Sequence, residues 1–480
     1  MRLLNTTSLG FEEFFDRNEP PPYAILSHRW SDMEVLYHDY DQQTDWSGSA
    51  KGYRKIYQCC ELARQRNRKY IWIDSLCIDK RNTHEVTESV NSMWRYYTNA
   101  IECYAYLVDV PPFAAEKRER LRNWNGRPSE WFRRGWTLQE LLAPQVVLFC
   151  DWDWKIIGQK SDASMLDEIS KITSIPGYCL LDRFRLFRTC VAQKLSWAST
   201  RKTTKQEDRV YSLLGLLGIN MPLFYGEGEE KAFLRLQQEV IRQTDDESIC
   251  AWRRSYGPDS TATGILASTI DAFSHSGDVY VKDEIRSPYM ITNKGLQIHT
   301  EASRVEGQGA KDRDVYIIPI NCQYGGPRVN GSTRPYHSCS IAIVQGKHSY
   351  SRIASASLGA KLDVLFPVES RIPVVEPQTF YIRLAAPKWA DIYPEYRSAT
   401  RVLTTYLRRR KIQRARELQA MDHMSSSIRT VEEPLHYSGL FDPQDLGLIE
   451  VESVSVLPEQ RPSSALITNA WHHGRRAATK

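Results

Sequence analysis

Four short apolar runs separated by amphipathic stretches fill the first 150 residues. They constrain the fold more than any other feature. The runs are residues 22–27, 70–78, 101–108 and 145–150. Each is continuous rather than alternating, the pattern of a strand buried on both faces. Between the first two, residues 51–66 place Tyr53, Ile56, Tyr57, Cys60 and Ala63 at helical spacing. Arg54, Lys55, Arg64 and Arg66 take the other side. Residues 85–99 likewise put Val86, Val90, Met93, Trp94 and Tyr97 on one helical face. Strands alternating with helices call for parallel pairing and right-handed crossovers. In such a sheet, polar residues just beyond the strand carboxyl ends line the ligand crevice. That puts His28 and Arg29 in line for a site after the first run, and Asp79 after the second.

The last crossover is the most chemically suggestive. Residues 131–143 read as a helix of about three turns, stopped by Pro144. Leu138, Leu141 and Leu142 form an apolar stripe. Arg133, Trp136, Thr137 and Glu140 fall three and four apart on the neighbouring one. A carboxylate beside an indole and a row of leucines is partly desolvated, which makes Glu140 a functional candidate. The plainer account has Glu140 satisfying Arg133 or Arg134. His28 also has a plainer account, as a hydrogen-bonded structural histidine. Asp74 reads as a mid-strand residue fixing a nearby amide or arginine, and Trp72, Trp94 and Trp252 as core. No G-x-S-x-G elbow surrounds Ser27 or Ser75, which argues against a serine hydrolase.

Residues 1–160 therefore read as an α/β domain and residues 161–255 as a mainly helical extension. Within the latter, residues 226–231 (Gly-Glu-Gly-Glu-Glu-Lys) lack a phosphate-loop ending and read as a turn opening a helix. Residues 256–390 alternate short strands with Gly, Pro and Asn turns, giving an antiparallel β-rich domain, a sandwich or a barrel. Residues 391–480 read as a basic helix around Arg408–Arg414 and a loosely ordered polar tail.

Composition bounds the partners. The 480 residues are 41% hydrophobic and 25% charged, ordinary for a chain of several globular domains. A net charge of +5 is too small to argue for nucleic acid. The ten cysteines show no C-x-x-C spacing, so no metal site is expected and the thiols read as small buried hydrophobes of a reducing compartment. No run is long and apolar enough for a membrane span, and Glu12, Glu13 and Asp16 interrupt any leader-like start. The expectation is a cytoplasmic protein with no nucleic-acid and no membrane partner.

Several runs together resemble the fungal heterokaryon-incompatibility (HET) domain. They are Tyr23-Ala-Ile-Leu-Ser-His-Arg-Trp30, Tyr70-Ile-Trp-Ile-Asp-Ser-Leu-Cys-Ile-Asp-Lys80, Ser92-Met-Trp-Arg-Tyr-Tyr-Thr-Asn-Ala100 and Arg134-Gly-Trp-Thr-Leu-Gln-Glu-Leu-Leu-Ala-Pro144. Similar extended regions continue with Ser196-Trp-Ala, Thr203-Thr-Lys-Gln-Glu-Asp208 and Leu223-Phe-Tyr-Gly-Glu-Gly228. One departure is Ser31, where many members carry glycine; it bears on loop shape. The resemblance implies fungal self/non-self recognition ending in programmed cell death, a form of innate immunity. It also implies a distant likeness to TIR domains, hence a TIR-like, flavodoxin-like parallel sheet. Ser27-His28-Arg29 is similar to a step at the end of the first TIR strand. Trp136-Thr-Leu-Gln-Glu140-Leu141 is similar to the TIR helix whose Glu cleaves NAD, with Thr137 in place of Cys.

What the resemblance implies for chemistry is an NAD hydrolase with Glu140 catalytic. Ser27, His28, Arg29, Trp30, Asp79, Arg133 and Trp136 would bind the substrate. NAD would be substrate rather than cofactor. The pyridinium leaves as neutral nicotinamide, so the difficulty is the oxocarbenium-like ribosyl cation, which one carboxylate in a dry pocket stabilises. Arg29 or Arg133 would hold the diphosphate, and Trp30 or Trp136 would stack on a ring. Self-association into a homo-oligomer on activation, under an unknown protein trigger, is expected. The alternative is a non-enzymatic death-signalling interaction module in which Glu140 is an ion-pair residue.

Overall fold

The computed structural model describes residues 1–403 apart from 15–19, 41–50, 113–118, 254–260, 283, 306–313, 328–332, 346–349, 355–373 and 386–401. An antiparallel pair, β1 (Arg2–Asn5) and β2 (Phe11–Glu13), precedes β3 (Tyr23–His28), α1 (Lys51–Gln65), β4 (Tyr70–Trp72) and a one-turn helix α2 (Asp74–Cys77). Then come α3 (Thr83–Asn99), β5 (Glu102–Tyr106), α4 (Thr137–Leu142), β6 (Val147–Cys150) and β7 (Ile156–Gln159). The sheet order is β2-β1-β4-β3-β5-β6-β7. Neighbours among β4, β3, β5 and β6 are parallel, while β1 and β7 join antiparallel at either side.

Alternation along the strands explains their uninterrupted apolar character. Tyr23, Ile25 and Trp72 enter one core with Met93 and Tyr97 of α3 and Leu138 and Leu141 of α4. Ala24, Leu26 and Ile71 enter a second core with Ile56, Cys59, Cys60 and Ala63 of α1. Because α1 covers one face and α3 and α4 the other, the strand order reverses between β3 and β5. In parallel sheets, ligands bind beyond the strand carboxyl ends at such a reversal. Ser27 and His28 end β3 there.

Two sequence expectations change. The run at 70–78 is a strand only through Trp72, and Asp74–Cys77 turn into α2 with the Cys77 thiol accepting the Ile73 N–H at 3.3 Å. A short buried apolar run does not distinguish strand from buried helix. The expected continuous helix at 131–143 is instead a 3-10 turn, Glu130–Arg133, and then α4. The break at 134–135 is made by a distant segment. Lys202 N–H donates to the Arg133 carbonyl at 2.7 Å, and Gly135 N–H donates to the Lys202 carbonyl at 2.9 Å. A Cβ on Gly135 would stand 2.5 Å from Thr203 Cγ2, so this approach needs glycine.

Among the described residues, seven helices follow β7 between residues 163 and 243. The glutamates of 226–231 do open a helix, Glu229–Gln243, after Gly228 at φ +81°. Beyond it lie β8 (Thr261–Thr263), β9 (Val279–Val281), β10 (Met290–Thr292), β11 (Gly295–Val305), β12 (Val315–Pro327), β13 (Thr333–Gln345), β14 (Tyr350–Ala354) and β15 (Val374–Ile382). The chain of pairings β11-β15-β14-β13-β12 returns to β11, so these strands close on themselves as a barrel. All ten cysteines are buried and free. No described helix is long and apolar enough to cross a membrane. Apart from Val402 and Leu403, the expected basic helix and polar tail lie outside the described residues.

Candidate active site

At the carboxyl end of β3, successive side chains leave on opposite faces. Ser27 turns toward α4. Its Oγ accepts the Trp131 indole N–H at 2.9 Å and donates to Glu140 Oε2 at 2.5 Å. Tyr97 OH, which donates to the Leu26 carbonyl at 2.9 Å, also lies against the Glu140 carboxyl. Glu140 is 8% exposed, and burial pushes its carboxyl up to about 8. The Ser27 hydrogen bond opposes that rise, Asp74 adds to it, and the Arg134 charge opposes it more weakly. Among the described residues no lysine or arginine forms an ion pair with Glu140.

His28 is held from the other side. Its Nε2 lies 3.2 Å from Glu34 Oε1, and Lys55 Nζ donates to both Glu34 oxygens, at 2.7 and 2.5 Å. Burial would raise the Glu34 carboxyl, but His28 and Lys55 outweigh it and hold the group at about 2. Asp74, at the start of α2, accepts the Trp30 indole N–H at 2.9 Å and stands 3.9 Å from His28 Nδ1.

Glu140 and His28 lie on the floor of a cavity of about 480 Å³, a size typical of small-molecule sites. Val86, Val90 and Met93 of α3 form its apolar wall. The indoles of Trp30 and Trp136 and the ring of Tyr225 line it, with Asp74, Asp208, Lys80, Arg134, Lys202 and Lys205. Asp208 accepts from Trp136 Nε1 at 3.3 Å and Tyr225 OH at 3.0 Å, and burial raises its carboxyl. Burial lowers the Lys80 ammonium, against the pull of Asp74 and Asp208. Lys202 and Lys205 are exposed at the mouth. The arrangement offers carboxylates to a cation held deep, flat rings for stacking, and ammonium groups to an anion held further out.

Of the candidates read from sequence, His28, Trp30, Trp136 and Glu140 line the cavity together, with Ser27 directly behind Glu140. Arg29 is exposed and does not line it. Arg133 points out, 60% exposed and paired with Glu130 at 3.3 Å, and Arg134 takes the lining position. Asp79 accepts the Arg81 N–H at 3.0 Å and leaves the lining to Lys80. Asp74 is hidden in the sequence, where it reads as mid-strand. Lys202, Lys205 and Asp208 come from the run at 202–208, whose polar character is visible in the sequence but whose distance from Glu140 is not. Among the described residues no group of three or more His, Cys, Asp or Glu could hold a metal.

A family model described as "Heterokaryon incompatibility protein (HET)" matches residues 23–123. The chain is thus similar to the HET family over residues 23–123. It is similar to "Vegetative incompatibility protein HET-E-1" of Podospora anserina, 39% identical over 227 residues. That stretch covers 46% of this chain and 16% of the relative, so the chain spans a small part of that protein. No solved structure matches. The part of the chain matched by the family model supplies Ser27, His28, Trp30, Asp74, Lys80 and the α3 wall. Glu140 and the lysines of the mouth lie beyond it.

Proposed function

We propose that this chain acts in fungal self/non-self recognition and regulated cell death by cleaving NAD at the nicotinamide–ribose bond, with Glu140 under the ribosyl cation and turnover switched on by self-association. The observation that carries the reading is the Glu140 carboxyl, buried on a cavity floor, bonded by the Ser27 hydroxyl, and free of any ion pair among the described residues. The TIR-like resemblance of the Trp136–Leu141 run agrees with it.

The electrostatics suit a cationic ring. Burial favours the protonated Glu140 at neutral pH, raising it to about 8. An entering pyridinium reverses that balance, because an opposite charge within a few ångströms favours the ionised form. The carboxylate then faces the C1′ of the ribose as positive charge grows there. Lys202, Lys205 and Arg134 meet the diphosphate, and Trp30 or Trp136 stacks on a ring. Charge stabilisation of this kind is worth about 10²–10³ in rate.

The test is NAD loss by the purified protein, with Glu140→Ala and Glu140→Gln alongside. Loss of turnover in both is expected; turnover equal to wild type in both overturns the reading.

One observation favours the interaction-module alternative. Tyr178, Leu181, Phe184 and Phe187 are all about half exposed or more on Gly177–Leu181 and Arg183–Arg188, an apolar grouping of the kind partners cover. Under that reading, cells overexpressing Glu140→Gln still die, whereas cells carrying Phe184→Ser with Phe187→Ser survive.

A further inference from the structure

His28 is the second titratable side chain on the cavity floor, and the NAD reading gives it no step. Its ring is built in from behind. Glu34 Oε1 meets Nε2 at 3.2 Å, and Glu34 is fixed by Lys55 Nζ, by Ser75 Oγ at 3.2 Å and by the Ser31 N–H at 3.2 Å. An ionised carboxylate only accepts, so in the neutral ring the hydrogen sits on Nε2 and Nδ1 keeps its lone pair. That Nδ1 is buried, its side chain 1% exposed, yet has no hydrogen-bond partner. A buried polar atom without a partner is costly and calls for an explanation. The groups facing the ring are Glu34 from the loop after β3, Lys55 from α1 and Asp74 from α2, with Lys80 and Glu140 also lining the cavity.

We infer that His28 is the general base of this cavity, taking at Nδ1 the proton of the water that captures the ribosyl cation, with Glu34 and Lys55 as positioning residues. The inference rests on the NAD-cleavage reading. As the C1′–N bond breaks, its electron pair goes to the nicotinamide ring nitrogen, which leaves neutral. A lone pair of the water oxygen forms the new bond to C1′. The water proton passes to Nδ1 and later to solvent, so NAD and water give ADP-ribose, nicotinamide and one proton. Glu140 and His28 thereby divide the work. The first carries charge against the cation, and the second accepts the proton that hydrolysis releases.

This division fixes an expected product ratio. A pyridine attacks the same cation through its own ring lone pair and has no proton to lose. Base exchange therefore needs Glu140 but not His28. The full chain is supplied with NAD and 3-acetylpyridine, and ADP-ribose and the exchanged dinucleotide are quantified for wild type, His28→Asn and Glu34→Gln. In His28→Asn hydrolysis is expected to fall about 10²-fold while base exchange stays within a few-fold of wild type. Glu34→Gln shifts the ratio in the same direction by a smaller factor. Retained exchange also reports an intact fold. Should His28→Asn lose both products, the ratio in Glu34→Gln decides. An unchanged ratio overturns the assignment of His28 alone. Absence of NAD loss in the wild type overturns the parent reading, and this one with it.

Discussion

The Ser27 hydroxyl meets Glu140 Oε2 at 2.5 Å, joining residues 113 positions apart in the chain. Ser27 Oγ accepts the Trp131 indole N–H at 2.9 Å, so the hydroxyl hydrogen is directed at the carboxyl. A strand end, a 3-10 turn and a helix are thus linked through one small side chain. The carboxyl receives a neutral donor in a site where a cation would have cancelled its charge.

Removing Ser27 tests how that link sets the acidity of Glu140. The hydrogen bond stabilises the ionised carboxylate, so Ser27→Ala should move the group further above about 8. The ionised fraction near pH 7.5 falls, and the alkaline-rising limb of NAD turnover moves to higher pH. Loss of one such hydrogen bond to a charged group is worth about 1.4 kcal/mol, hence a roughly tenfold fall in turnover at pH 7.5. A pH–rate profile is the measurement, and an unmoved limb would count against Glu140 as the titrating group.

Stability against pH separates a poised Glu140 from an ion-paired one. The folded carboxyl sits at about 8 against an ordinary 4.5. Between these values the folded protein holds a proton that the unfolded chain has lost, so stability declines as pH rises through that window. Below about 4.5 the penalty is absent, and above about 8 it is complete. Glu140→Gln removes it. The variant should match wild type in thermal denaturation near pH 4.5 and exceed it near pH 8.5 by a few kcal/mol, because each tenfold change in proton affinity is worth about 1.4 kcal/mol. A variant less stable than wild type at both pH values would indicate a structural ion pair.

Much of the sheet was legible because both of its faces are buried. Strand residues such as Ala24 and Ile25 feed different cores, so the sequence reads as unbroken apolar runs. The pairing of Glu140 with the Ser27 strand end was legible only through the crossover logic of parallel sheets, which brings strand ends together. What could not be read was any contribution set by long-range hydrogen bonds. The kink that turns Arg134 to the cavity and Arg133 to solvent comes with the Lys202 hydrogen bonds, and Lys202 carries no local signal for it. Glu34, which fixes His28, sits in a loop whose composition marks nothing but polarity. Asp74 was concealed by an apolar run that leaves the strand conformation well before its composition changes.

Charge at the cavity mouth should govern affinity rather than chemistry. Lys205 Nζ lies 4.0 Å from the Tyr225 ring centroid, and Lys202, also exposed, lines the same cavity. Each ammonium is placed to meet an anionic substrate without touching the floor. Lys202→Ala and Lys205→Ala should each raise KM for NAD by roughly tenfold, about 1.4 kcal/mol, with kcat changed little. The effect should shrink as salt is raised, since exposed charges are screened. Steady-state kinetics at two ionic strengths measures both. A fall in kcat at constant KM would place the lysines at the reacting atoms instead.

Gly135 couples the mouth to the floor, and its substitution tests that coupling. Its N–H donates to the Lys202 carbonyl, and a Cβ at this position would lie 2.5 Å from Thr203 Cγ2 and 3.3 Å from Ser212 Oγ. Thr203 is β-branched and cannot rotate freely away, so the segment 202–205 must move as a unit. Arg201 resists that movement, because its guanidinium donates to the Arg134 carbonyl at 2.9 Å and to Thr137 Oγ1 at 3.1 Å. Strain therefore concentrates between α4 and the lysine segment. Gly135→Ala should destabilise the protein by about 1–3 kcal/mol, the usual cost of overpacking, seen as a lower denaturation midpoint. It should also weaken NAD binding more than Lys202→Ala does, since Lys202 and Lys205 are displaced together while α4 keeps Glu140 against Ser27. If Gly135→Ala binds NAD as wild type does, the segment 202–205 contributes no binding to the cavity, and the floor residues alone account for recognition.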